Sequence, residues 1–152
     1  MSFDLDPRIA VETVPLWADS QRLILLRDES RWPWCVVMPI TTQIEFHSMD
    51  DAAASALIKA VRATAAAISR LPQVGKINLA SFGNVVAQQH WHVIGRNQTD
   101  PLWPDPVIGQ PRVASAAPLL QQRAELLQRS LCAELGRSEP GAIPHDGWPT
   151  PD

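Results

Sequence analysis

Gly83-Asn84-Val85-Val86-Ala87-Gln88-Gln89-His90-Trp91-His92-Val93-Ile94-Gly95-Arg96 is the stretch on which the fold turns. Gln88, His90 and His92 alternate here with Gln89, Trp91 and Val93. Side chains on a strand repeat every second residue, so the amide and the two imidazoles are expected on one face. Trp91 and Val93 are expected on the other face, packed in a core. A polar row of this kind is costly to bury without partners, and such a face usually lines a site. Spacing alone supports a plain half-buried strand equally well, because His-x-His is a short and common pattern.

Outward from this stretch, the chain reads as runs of strands with two long helices. Leu23 to Leu26 is a compact apolar run between Arg22 and Arg27, a buried strand. Asp28 to Arg31 is a polar turn, and Trp34 to Met38 is a second strand closed by Pro39, antiparallel to the first. Upstream, a short helix is expected near Asp6 to Ala10, then an extended lead-in. Ser48 to Leu71 is the clearest helix. Ser48 is the expected cap, with Asp50 and Asp51 in the first turn where negative charge is favoured. Leu57, Val61, Ile68 and Leu71 form one apolar stripe, and Pro72 and Gly75 end it. Lys76 to Ala80 reads as a short strand, and Ser81 to Asn84 as the turn into the histidine strand.

Downstream, Asn97 to Gln110 holds three prolines and is an ordered loop anchored by Leu102, Trp103, Val107 and Ile108. Ser115 to Leu135 is a second long helix, with Leu120, Ala124, Leu127, Leu131 and Leu135 as its stripe and Gly136 as its stop. Residues 137–152 carry four prolines and form an expected tail, extended or draped on a partner and pinned by Trp148. The division is therefore a domain over 1–136 and a tail over 137–152. Strands with two main helices on one chain argue an α+β domain with an antiparallel sheet.

The totals narrow the function. A chain of 152 residues suits one domain with a real core. Its net charge is −3, with only two lysines and no basic run. No nucleic-acid partner is expected, and any phosphate binding is local to a small pocket. Cys35 and Cys132 form no Cys-x-x-Cys pair and read as buried small apolar residues of a reduced compartment. The N-terminus lacks the regions of a signal peptide, and no apolar run looks long enough to cross a membrane. A cytoplasmic protein is expected.

The string from Gly83 to Arg96 resembles the signature of the histidine triad (HIT) superfamily, His-φ-His-φ-His-φ-φ with φ apolar. That signature follows a Gly-Gln-Ser/Thr step and often precedes an Arg. Here Gly83-Asn84-Val85 falls at the step, His90 matches the central histidine and His92 the third. Val93 and Ile94 fill the closing pair, and Arg96 matches the arginine. Gln88 stands in place of the first histidine. The chain looks most like a bacterial branch reading Gln-x-His-x-His, then Arg, then Trp-Pro-x-Pro-Val, which Trp103-Pro104-Asp105-Pro106-Val107 supplies.

The resemblance implies a HIT-like fold with a sheet of about five strands, commonly dimeric. It implies a hydrolase or transferase that cleaves a phosphoanhydride or phosphoramidate at the α-phosphate of a nucleotide or dinucleotide. His90 would be the nucleophile and form a nucleotidyl-histidine. His92 would donate to the phosphate oxygens, with Gln88 completing the catalytic row. Asn78, Asn84 and Arg96 would bind phosphate, and Asp28 the ribose hydroxyls. Apart from the family, Asp28 reads as a turn residue bonding its own backbone, Asn78 reads equally as a residue satisfying backbone groups, and Arg96 as one that simply faces solvent. No cofactor and no metal are implied; beside His90 and His92 the chain offers only His47, His145 or carboxylates as further ligands.

Three departures stand out. Gln88 cannot carry a proton. Trp34 occupies the position of a histidine that partners the first triad histidine in many members, which reads as a repacked support shell. Val85 lacks a hydroxyl. The Gln88 and Val85 changes motivate the alternative of a catalytically idle nucleotide-binding or regulatory module.

Overall fold

The computed structural model describes residues 3–138. In chain order the elements are α1 (Pro7–Ala10), β1 (Thr13–Ala18), β2 (Arg22–Arg27), β3 (Trp34–Pro39), a 3-10 turn (Phe46–Ser48), α2 (Asp51–Ser69), β4 (Lys76–Ala80), β5 (Trp91–Arg96) and α3 (Ala117–Leu135). The strands form one antiparallel sheet in the order β1-β2-β3-β5-β4. The α+β expectation, with five strands and two main helices, is met.

Alternation along the strands divides the core by face. Ile24 and Leu26, Cys35 and Val37, and Val93 point to the side covered by α2 and α3, where Leu57, Val61, Ile68, Leu127 and Leu131 complete a buried cluster. Leu23 and Leu25, Val36 and Met38 point to the opposite side, against Leu5, Ile9 and Ala10 of the N-terminal segment. At the start of β3, Trp34 packs with Trp32, Ile94 and Val107. Both helices therefore lie on one face. The other is covered only in part, by α1 and loops, and the site opens there.

Four expectations change. The lead-in after α1 is a full edge strand, β1; its pairing is interrupted between Pro15 and Trp17. A proline cannot donate to a ladder, which hid the strand in the sequence and confines it to the edge. Asp50, and not Ser48, caps α2, accepting from the Ala53 amide at 2.9 Å, while Ser48 ends the preceding 3-10 turn. The histidine strand pairs only from Trp91 onward. Lastly, α2 is by length and composition able to cross a membrane, because its alanines raise its hydropathy. In this fold its apolar stripe is buried against the sheet.

Beyond α3, the Gly136 carbonyl accepts from the Trp17 indole at 2.9 Å, and the Ser138 hydroxyl accepts from the Ala18 amide at 3.0 Å. The chain thus leaves α3 along β1. The expected tail beyond this point, with Trp148, lies outside the described residues.

Candidate active site

A cavity of about 600 Å³ opens on the face opposite α2 and α3, and His90 and His92 both line it. Its walls come from α1, β2, β3, the Phe82–Val86 loop and the Ile108–Pro111 loop. Gly83, with φ of +73°, makes the turn that brings this first loop back over the sheet. Gly95 in β5 faces the other way; a Cβ there would fall 2.7 Å from Ile68 and 2.8 Å from Pro33. The histidine strand is thereby drawn close against α2.

The two imidazoles stand edge to face, 4.9 Å between centroids. His90 Nδ1 lies 2.7 Å from the Gln88 carbonyl. A carbonyl only accepts, so Nδ1 carries the proton and donates, and Nε2 keeps a lone pair. His92 Nδ1 lies 3.1 Å from Trp34 Nε1. An indole N–H only donates, so here Nδ1 is the acceptor and Nε2 carries the proton. The site thus pairs one lone-pair imidazole with one N–H imidazole. Register explains the second contact: Val36 faces His92 and Trp34 faces Ile94, so Trp34 and His92 are diagonal neighbours on one face. Burial, then the nearby His90 and Arg27 charges, push the pKa of His92 down to about 3.

Behind Trp34 stands a second layer. The Arg27 guanidinium lies 4.4 Å over the indole ring, and Glu12 holds it from Nε and Nη2 at 3.1 and 2.8 Å. Glu12, Arg27 and Arg8 all line the cavity. Sequence reasoning missed all three. Arg27 closes an apolar strand and Glu12 precedes an unrecognised one; only the register Thr13 opposite Arg27 brings them together.

The remaining expected site residues divide. Asn84 lines the cavity and is exposed. Gln88 does not join the row. Its side-chain oxygen accepts from the Asp6 amide at 2.9 Å and its nitrogen donates to the Asp4 carbonyl at 2.5 Å, because residue 88 precedes the paired strand and the N-terminal segment supplies partners there. Its backbone carbonyl, not its side chain, serves the site. Asp28 also turns away: its carboxylate accepts from the Ser115 amide at 2.7 Å and pairs with Arg112. It bonds neighbours brought by the fold and not its own turn.

Arg96 does not reach the cavity in this fold. It is 1 % exposed and donates to Asp100 at 2.6 and 2.9 Å, to Asn78 Oδ1 at 3.0 Å and to the Asp105 carbonyl at 3.0 Å. A buried guanidinium needs this many acceptors. Asn78 is committed to the same network, and neither residue lines the cavity. Among the described residues no three His, Cys, Asp or Glu side chains gather as a metal site would require.

The family model described as HIT domain matches residues 10–99. Among solved structures, a histidine triad protein from Marinobacter aquaeolei VT8 is 30% identical, with a TM-score of 0.82 over 88% of this chain and 99% of that one. A histidine triad protein from Bradyrhizobium japonicum is 25% identical, with a TM-score of 0.81 over 86% and 99%. A histidine triad (HIT) protein from Sinorhizobium meliloti 1021 is 27% identical, with a TM-score of 0.79 over 84% and 96%. No curated protein matches.

Proposed function

The chain belongs to the HIT domain family, and on that premise we propose that it cleaves nucleotide conjugates at the α-phosphate through a nucleotidyl-histidine intermediate. The carrying observation is the opposed protonation of the two imidazoles that line one cavity. His90 Nε2 attacks phosphorus, and the Gln88 carbonyl stabilises the Nδ1 proton as the ring becomes cationic. His92 Nε2–H donates to a phosphate oxygen as charge develops, and the Asn84 amide adds a neutral donor. Water then releases the nucleotide. Dinucleoside polyphosphates and nucleoside phosphoramidates are the substrate classes that present such an α-phosphate.

Gln88 acts through its backbone, so its replacement of a histidine does not remove the nucleophile's partner. We further infer a cytoplasmic homodimer. Supporting the dimer are the β4 edge, paired only with β5 among the described residues, and the exposed Leu79 on it.

The test is rapid-quench trapping with radiolabelled adenosine and guanosine conjugates. An acid-labile adduct, absent in His90→Ala, is the expected result. Tight nucleotide binding without turnover or adduct would leave a binding module instead.

A further inference from the structure

We propose that Trp34 sets the leaving-group specificity of this site. By holding His92 as a fixed Nε2–H donor, it leaves the cavity without a proton for the departing group. Only conjugates whose leaving group departs as a stable anion, phosphoanhydrides above all, are then turned over well. This rests on the nucleotidyl-histidine reading and narrows its substrate class.

The indole N–H cannot accept, so its 3.1 Å contact requires a lone pair on His92 Nδ1. Protonating that nitrogen would set two N–H groups against each other on a largely buried ring. The charged and titratable groups facing His92 are His90 ahead of β5 and Arg27 of β2, the latter tied to Glu12 at the head of β1. Arg27 opposes any further positive charge, in accord with the depressed pKa. Among the described residues, the other polar groups of the cavity offer no replacement acid. The guanidinium groups of Arg8 and Arg27 do not release protons. Glu12 accepts from Arg27, the Thr13 hydroxyl donates to the Ile9 carbonyl, and Asn84 is a neutral amide.

The chemistry balances without a pocket acid. His90 Nε2 forms the N–P bond, the bond from phosphorus to the leaving atom breaks, and its electron pair leaves with that atom. A phosphate oxygen holds that pair as a stable anion; an amine nitrogen cannot, and must first be protonated. In the second step water oxygen bonds to phosphorus, the P–N pair returns to Nε2, and the surplus proton goes to solvent.

Two measurements test this. The first is kcat/KM for a dinucleoside polyphosphate, an adenosine phosphoramidate and adenosine 5′-phosphate esters of phenols of graded acidity. The expected rates fall steadily as the leaving group becomes more basic, with the phosphoramidate at least about 100-fold slower than the polyphosphate. Trp34→His, which places a proton-exchanging ring beside His92, flattens that dependence. The second is 15N NMR of the wild-type imidazoles between about pH 5 and pH 8. His92 Nδ1 is expected to stay unprotonated throughout, and to begin titrating in Trp34→Phe. A protonated His92 Nδ1 in the wild type overturns the proposal. Equal turnover of phosphoramidate and polyphosphate overturns the leaving-group rule while leaving the nucleotidyl-histidine mechanism standing. No turnover of even the most acidic phenol ester overturns both.

Discussion

At the scale of the residue, the proposed chemistry depends on which nitrogen holds a proton. His90 and His92 are the same side chain two positions apart, and their neighbours give them opposite tautomers. The one that meets the Trp34 indole also carries a cost at low pH. Free histidine titrates near 6.5, whereas folded His92 does so only near 3. Between those values the unfolded chain binds a proton that the folded chain refuses, so stability falls as pH falls through this window and is unaffected above it. The expected loss from this residue is at most about 1.4 kcal/mol per pH unit. Urea midpoints at pH 7 and pH 5 should separate by less in His92→Gln than in the wild type. Arg96 gives the complementary lesson. Its guanidinium is fully buried, and the carboxylate of Asp100, which it holds below the ordinary range, neutralises it.

At the scale of the element, α2 and β5 are placed by small features. The start of α2 is set by Asp50, whose carboxylate accepts from the Ala53 amide and sits where the helix dipole favours negative charge. Asp50→Ala is therefore expected to cost about 1 kcal/mol in thermal or denaturant unfolding, and Ser48→Ala close to nothing. Equal losses would restore Ser48 as the cap. For β5 the decisive feature is Gly95, where Ile68 of α2, Pro33 and Val74 approach to within 3.0 Å of a Cβ position. That close approach lets α2 pack tightly behind the strand carrying His92.

At the scale of the molecule, the sheet separates stability from chemistry. One face is sealed by α2 and α3; the other holds the cavity, closed in part by α1 and two loops. The connection into α3 is tied to the end of β2 through Asp28, which binds Arg112 and the Ser115 amide. Arg123 of α3 reinforces this by donating to the Glu29 and Ser30 carbonyls at 2.6 and 3.0 Å. Asp28→Ala is expected to lower unfolding stability by about 1–3 kcal/mol while leaving nucleotide affinity, measured by calorimetry, unchanged. A selective loss of ribonucleotide binding at unaltered stability would return Asp28 to the ribose.

The sequence by itself determined the elements whose periodicity is regular: the Leu23 to Leu26 and Trp34 to Met38 strands, both long helices, and the histidine strand with its two faces. Local pattern suffices there because side-chain direction follows from position along a strand or helix. It also singled out His90, the proposed nucleophile, through the resemblance to the family signature, and the carbonyl partner of His90 lies only two residues away. Only the tertiary structure decided the rest. Glu12 meets Arg27 across two strands, Trp34 meets His92 across 58 positions, and Asp28 meets Ser115 across 87. The polar side chains of Gln88, Asp28, Asn78 and Arg96 looked free for a ligand in the linear chain. A polar group bonds whatever the fold brings within reach, and the fold had already supplied each of them with a partner.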